Sequence, residues 1–303
     1  MKCVMSLLLC TGVLWTRFAT AQMSMANLPE NSVTRVSEHV YAIIGFPNIA
    51  IVVGNGATLV VDTGMGERNG ATVVREVAKL TKNPKLFLTT THFHPEHSMG
   101  EQAFPPKTIL IRPTVQQEEL DQHRTEYIEM FSRMSAANKE LLKDVRMRIP
   151  DILFDREMNL DLGGVTARLF WMGPAHTRGD EMIFVKEDSV LISGDIVQDK
   201  MVPNMPNEEA SAKNWIAILD KLEPMKPRIV FPDHGALGDA SLIGKERAFL
   251  VDVQTRATEL KRKGTSVEDA GKQIAAEMKA RYPDWPSMGP VPNVVKRVYA
   301  EAK

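Results

Sequence analysis

Thr91-His92-Phe93-His94-Pro95-Glu96-His97 follows the apolar run Leu86-Phe87-Leu88 and places four potential metal ligands within six consecutive residues. The run reads as a short buried strand, and a segment that leaves a strand end with a proline inside it reads as a loop, not a helix. On a loop, His92, His94, Glu96 and His97 need not share a helical face and can wrap around a cation. Neutral imidazole and carboxylate are ligand types that suit zinc, iron or manganese. A solvated polar turn is the plainer reading of such a stretch, and the positions of the other histidines argue against it.

His176 stands in Gly173-Pro174-Ala175-His176-Thr177-Arg178-Gly179-Asp180, directly after the strand-like Thr166-Ala167-Arg168-Leu169-Phe170-Trp171. Asp195 closes Ser193-Gly194-Asp195 after Val190-Leu191-Ile192, and His234 lies in Phe231-Pro232-Asp233-His234-Gly235 after Ile229-Val230. Each candidate follows a short apolar run and sits beside glycine or proline. That is the pattern of a sandwich whose strand-end loops converge on one rim.

Taken in order, Asp62-Thr63-Gly64, the His92 to His97 cluster, His176, Asp195 and His234 resemble the motif series of the metallo-β-lactamase superfamily, over residues 33 to 234. The resemblance implies an α/β fold, a four-layer αββα sandwich. It further implies two divalent metal ions, zinc first, with iron or manganese as alternatives. His92, His94 and His176 would hold one ion, Glu96, His97 and His234 the other, and Asp195 would bridge them. Asp62 would lie beneath the ions and hydrogen-bond a ligand, an arrangement that orients an imidazole and raises its basicity. The sequence departs from the family at Glu96, where aspartate is usual. Glutamate is one methylene longer and reaches a metal from a different angle.

The chemistry that the resemblance implies is hydrolysis by a metal-bound hydroxide, with Glu96 and Asp195 orienting it as the catalytic carboxylates. Paired cations lower the pKa of water towards about 7 and polarise the bond under attack, so no serine or cysteine nucleophile is needed. An aspartate at the bridging position is typical of the glyoxalase-like and lactonase-like branches, and the lactamases with cysteine there are a poor match. The expectation is therefore a hydrolase that opens an ester, lactone or β-lactam-type carbonyl bond of a small molecule. Two other readings stay open. One is an oxidoreductase like the persulfide dioxygenases, with a single iron on His92, His176 and Asp195. The other is a metal-binding scaffold in which Glu96 has ended the catalysis. Fold membership alone does not choose among them.

The remainder of the chain frames this site. With 44% hydrophobic and 25% charged residues, the 303-residue chain is globular in composition, not disordered or fibrous. Met1-Lys2, the apolar stretch from Cys3 to Trp15 and Ala19-Thr20-Ala21 read as an export signal over residues 1 to 21, which places the remainder, 22 to 303, in the periplasm or outside the cell. The apolar run is too short for a stable membrane span. Cys3 and Cys10 are the only cysteines, so a domain without that segment has neither disulfides nor thiolate ligands. Losing Lys2 and Arg17 as well takes the formal charge from -1 to -3, which gives no basis for nucleic-acid binding.

Alternating runs at Val40-Tyr41-Ala42-Ile43-Ile44, Ala50-Ile51-Val52-Val53 and Thr58-Leu59-Val60-Val61 predict strands, with Asn55-Gly56 as a hairpin turn. Val73, Val74, Val77 and Leu80 predict a helix ended by Asn83-Pro84. Residues 113 to 150 read as a helical insertion, with Leu120, Tyr127 and Phe131 on one face. It is a lid or pocket wall on one reading, and an ordinary packed helix or a homodimer contact on the other. His39 and His123 read as surface histidines, Arg178 as a receptor for a substrate carboxylate or a plain surface arginine, and Glu246 as a carboxylate remote from the cluster. Met172, Met201, Val202 and Met205 suggest either pocket or core, with core the better choice. Residues 158 to 195 are strand-rich, with Gly163-Gly164 as a hairpin turn, and residues 240 to 303 form a helical extension of the same domain.

Overall fold

A computed structural model describes residues 27–302; the export-signal reading falls outside these residues. The first sheet runs in sequence order: β1 (Val33–Arg35), β2 (Val40–Ile43), β3 (Ile49–Val53), β4 (Ala57–Val61), β5 (Lys85–Thr89), β6 (Ile109–Pro113) and β7 (Ile152–Phe154). Its first four strands are antiparallel and the later pairs are parallel. Parallel pairing requires a crossover, and α1 (Gly66–Leu80) supplies it between β4 and β5.

The second sheet contains β8 (Glu157–Asp161), β9 (Thr166–Trp171), β10 (Glu181–Val185), β11 (Val190–Gly194) and β12 (Ile229–Pro232). Gly163 and Gly164, both at positive φ, form the β8–β9 turn that their sequence predicts. Between β11 and β12 lies α5 (Ala212–Leu222), whose cap Ser211 accepts from the Asn214 N–H at 3.1 Å.

Alternation along the strands decides the layers. Ala50, Val52, Leu59 and Val61 face the second sheet and meet Leu169, Ile183, Val185 and Ile192 in the central core. Their neighbours Ile49, Ile51 and Val60 face outward against Val73 and Val77 of α1. On the far side, Phe170, Met182 and Leu191 pack under α5 and three C-terminal helices, α6 (Ser241–Arg262), α7 (Val267–Arg281) and α8 (Val291–Glu301). The result is the expected helix, sheet, sheet, helix sandwich with a helical C-terminal region. Val202 and Met205 belong to that last core layer, so they are core residues.

One local expectation differs from the structure. Pro95 does not keep the His92 to His97 stretch irregular: it opens the one-turn helix α2 (Pro95–Ser98), at a position where an amide hydrogen would have no partner anyway. The insertion is α3 (Thr114–Met134) and a short α4 (Ala136–Leu141), followed by irregular chain before β7. Leu120, Tyr127 and Phe131 of α3 pack on Phe93, inside the histidine cluster itself. Among the described residues no helix is long and apolar enough to cross a membrane.

Candidate metal centre

Every candidate ligand leaves the end of a strand or the turn after it. His92, His94, Glu96 and His97 come from the β5 end and α2, His176 from the loop after β9, Asp195 from the residue after β11, and His234 from the loop after β12. The two sheets thus contribute from both sides of one rim. All six histidine and glutamate side chains are buried, and Asp195 is nearly so, its side chain 11% exposed.

The ligand atoms converge in two sets joined by a third. Nδ1 of His94 stands 3.0 Å from Nε2 of His92 and 3.2 Å from Nε2 of His176. Glu96, His97 and His234 form the second set, and His92, His97 and Asp195 a third that joins them. Asp195 reaches both: Oδ2 is 3.4 Å from Nε2 of His176, and Oδ1 is 3.4 Å from Nε2 of His234. A carboxylate spanning one histidine of each set is where a bridging ligand would stand. The structure brings all seven residues together.

Hydrogen bonds fix which ring nitrogens are free. Nδ1 of His176 donates to the Asn204 carbonyl at 2.7 Å, which leaves Nε2 with its lone pair facing the cluster. Nδ1 of His97 lies 2.8 Å from Asp62 and 3.3 Å from Asp233, and its Nε2 is buried without a hydrogen-bond partner. Oε2 of Glu96 and Oδ1 of Asp195 are likewise buried and lack hydrogen bonds among the described residues. Buried polar atoms are ordinarily satisfied, so this concentration of unpaired lone pairs in one place is the signature of a cation cage. The donor set, nitrogen and carboxylate oxygen without sulfur, fits zinc, iron or manganese.

Burial, reinforced by the surrounding imidazoles, holds His92 and His94 well below the ordinary histidine range and therefore neutral, as ligands must be. His97 goes the other way: burial alone would lower it, but the Asp62 and Asp233 carboxylates hold it well above that range. Burial pushes Glu96 up to about 7, partly offset by His97. In Asp195 the pull of His234 and His176 overcomes burial and keeps the carboxyl low. Aromatic rings wall the cage, with Phe46 stacked on His234 at 4.0 Å and Tyr127 on His94 at 4.7 Å.

Several contributors are not visible as motifs. Asp233 accepts from the Thr91 hydroxyl at 2.6 Å and approaches the same His97 nitrogen as Asp62, and burial lifts its carboxyl to about 7. Gln116 and Glu119 of α3 are buried against the loops that carry His92 and His176. Burial pushes Glu119 up to about 8, against the two backbone N–H groups that favour its ionised form. Other expectations change here. Glu246 is not remote: it is fully buried, and repulsion from Asp195 adds to burial in raising its pKa. Arg178 is held between Glu118 and Glu209 at 3.7 and 3.4 Å, so it is not a free cation for a substrate. His123 reaches Glu209 at 3.1 Å, and His39 reaches Asp188 at 2.7 Å.

Comparison with known proteins agrees with this geometry. The model of the metallo-beta-lactamase superfamily matches residues 43–234. A linear primary-alkylsulfatase from Pseudomonas sp. (strain ATCC 19151) is 24% identical over 207 residues, 58% of this chain and 39% of that protein. The chain therefore spans about two-fifths of that curated relative. Among solved structures, a metallo-beta-lactamase from Pontibacter korlensis aligns over 73% of this chain and 98% of its own, with 21% identity and a TM-score of 0.57. The stereoselective inverting sec-alkylsulfatase Pisa1 from Pseudomonas sp. aligns over 89% of this chain and 50% of its own, with 16% identity and a TM-score of 0.69. With the family model covering well over half of its length, on the same span that carries the converging ligands, the chain belongs to the metallo-beta-lactamase superfamily.

Proposed function

We propose that the protein is a metal-dependent hydrolase that holds two divalent ions, zinc first, and opens an ester, lactone or β-lactam-type carbonyl bond in a small molecule. The observation that carries this reading is Asp195, one carboxylate facing His176 of the first ligand set and His234 of the second. Divalent cations in such a cage supply Lewis acidity and bring the pKa of water towards neutrality. The protein's own part is orientation and exclusion of water. Asp62 and Asn204 fix the rings of His97 and His176, and Phe46 and Tyr127 wall the cage. Glu96 and Asp195 present carboxylate oxygens that orient the attacking water. The protein is exported through residues 1 to 21 and acts outside the cytoplasm.

A sulfate ester is the second substrate reading, and one observation favours it. An alignment over 89% of 303 residues leaves only about 33 unmatched, so the alkylsulfatase likeness has to enter the region beyond residue 240, which forms α6, α7 and α8. The test is metal analysis of protein purified without chelator, joined to hydrolysis assays on a lactone, a chromogenic β-lactam, a thioester, an alkyl sulfate and a phosphodiester. About two transition-metal equivalents with turnover of a carbonyl substrate supports the first reading, and turnover of the alkyl sulfate alone replaces it with the second. Bound iron with oxygen consumption, or metal without any turnover, overturns both.

A further inference from the structure

The two halves of the three-histidine set belong to different sheets, and α3 of the insertion touches both. Gln116, fully buried in the first turn of that helix, donates from Nε2 to the carbonyls of Thr90 at 2.9 Å, Thr91 at 3.2 Å and Gly179 at 3.0 Å. Its Oε1 accepts from the Thr90 hydroxyl at 2.8 Å. One turn further on, Glu119 accepts from the backbone N–H of Arg178 and of Gly179, both at 2.9 Å. Thr91 immediately precedes His92, and Arg178 and Gly179 follow His176 by two and three residues. The contact has no slack: a Cβ on Gly179 would stand 2.5 Å from Cα of Gln116.

We infer that Gln116, supported by Glu119, is a positioning residue for the metal cage: α3 is a fixed clamp that sets the spacing between His92 and His176, not a mobile lid. This rests on the reading of His92, His94 and His176 as metal ligands. The side-chain type is specific to the task. An amide of this length offers two N–H donors, here shared among three carbonyls, and an acceptor to one hydroxyl from a single position. The nearly isosteric Gln116→Glu turns a donor into a second anionic oxygen facing those carbonyls. It forces the Thr90-Thr91 and Gly179 segments apart while leaving helix propensity and volume nearly unchanged. Among the described residues Glu96, His97 and His234 make no hydrogen bond with Gln116, so their set serves as an internal reference.

The test is a Zn²⁺ and Co²⁺ titration of the full chain, stripped by chelator, against a competing chromophoric chelator, with the visible spectrum of bound Co²⁺ as a second readout. Gln116→Glu is expected to weaken one of the two metal equivalents by about tenfold or more, the size of effect that follows loss of a ligand's outer support. The other equivalent stays within about threefold, and the Co²⁺ spectrum changes in shape. Gln116→Met, which removes the polar contacts without adding charge, gives the same selective loss and carries the test if Gln116→Glu does not fold. Unchanged binding of both equivalents, or an equal loss of both, overturns the clamp and leaves the metal cage standing. Failure of the unaltered protein to bind any ion overturns the cage and the clamp with it.

Discussion

The Asp62 carboxylate lies 2.8 Å from Nδ1 of His97, and neither side chain has any exposure to solvent. The same carboxylate accepts from the Thr91 backbone N–H at 2.7 Å, so it ties the imidazole to the strand end that delivers the cluster. Removing it frees the ring to turn. Asp62→Ala is expected to lower the affinity of the Glu96, His97 and His234 set by about 10- to 100-fold, as loss of a ligand's hydrogen-bond partner commonly does. Competition titration with a chromophoric chelator measures it. An affinity within about threefold of the parent would show that Asp233 alone orients His97.

Glu96 is the departure from the family pattern, and its Oε1 stands 3.8 Å from Nε2 of His97. Glu96→Gln keeps the volume but removes the anionic oxygen, and is expected to take bound metal from about two equivalents to about one. Glu96→Asp shortens the reach and is expected to change metal content or turnover more than Glu268→Asp, an exposed swap at the start of α7. Elemental analysis after gel filtration decides both. Equal and negligible effects would remove Glu96 from the site.

Glu246, which is buried and feels the charge of Asp195 but is not itself a ligand, offers a pH test. Burial, with Asp195 adding to it, raises its carboxyl well above the ordinary value of 4.5, and neither oxygen has a hydrogen-bonding side chain. A folded-state pKa above the unfolded one means the native state binds the proton more tightly. The stability from the neutral acid is therefore complete below about pH 4.5 and is lost as pH rises through the folded pKa. Glu246→Gln removes this contribution, so the variant should match the parent near pH 4 and be the more stable of the two at pH 8. Urea melts at the two pH values supply the comparison, and a constant offset would contradict it.

Arg112 and Glu101 form a charged pair with no solvent exposure, extended by a 2.5 Å bond from Arg112 to Gln117. Glu101→Ala leaves a buried guanidinium without its counter-ion and is expected to cost about 3–5 kcal/mol in denaturant unfolding. Replacing both partners by apolar residues should cost less than that single change. A small penalty for Glu101→Ala would mean that water or Gln117 takes over the charge.

What could be read from the chain alone was whatever repeats locally. Strand alternation at Ala50 to Val53 gives both faces of the first sheet, and Gly163-Gly164 marks the β8–β9 turn of the second without reference to the remainder of the fold. The ligands were legible because their chemistry is dense and their strand-end settings recur. Pro95 is ambiguous in sequence because a proline that breaks a helix interior is welcome at its first residue, and sequence does not say where that residue is. Gln116, Glu119 and Asp233 act across 25 to 142 positions, so their partners cannot be found by spacing. Glu246 carried a faint signal, an acid between Leu242, Ile243, Phe249 and Leu250 on a face that is otherwise apolar.

The rim where the two sheets meet has one more consequence. The first sheet brings His92, His94, Glu96 and His97, the second brings His176, Asp195 and His234, and 84 positions separate His92 from His176. Ions shared between these groups would act as rivets through a seam, joining stretches of polypeptide made at quite different moments of synthesis. Starving such a molecule of metal would then unfasten its architecture and so shorten its lifetime among proteases.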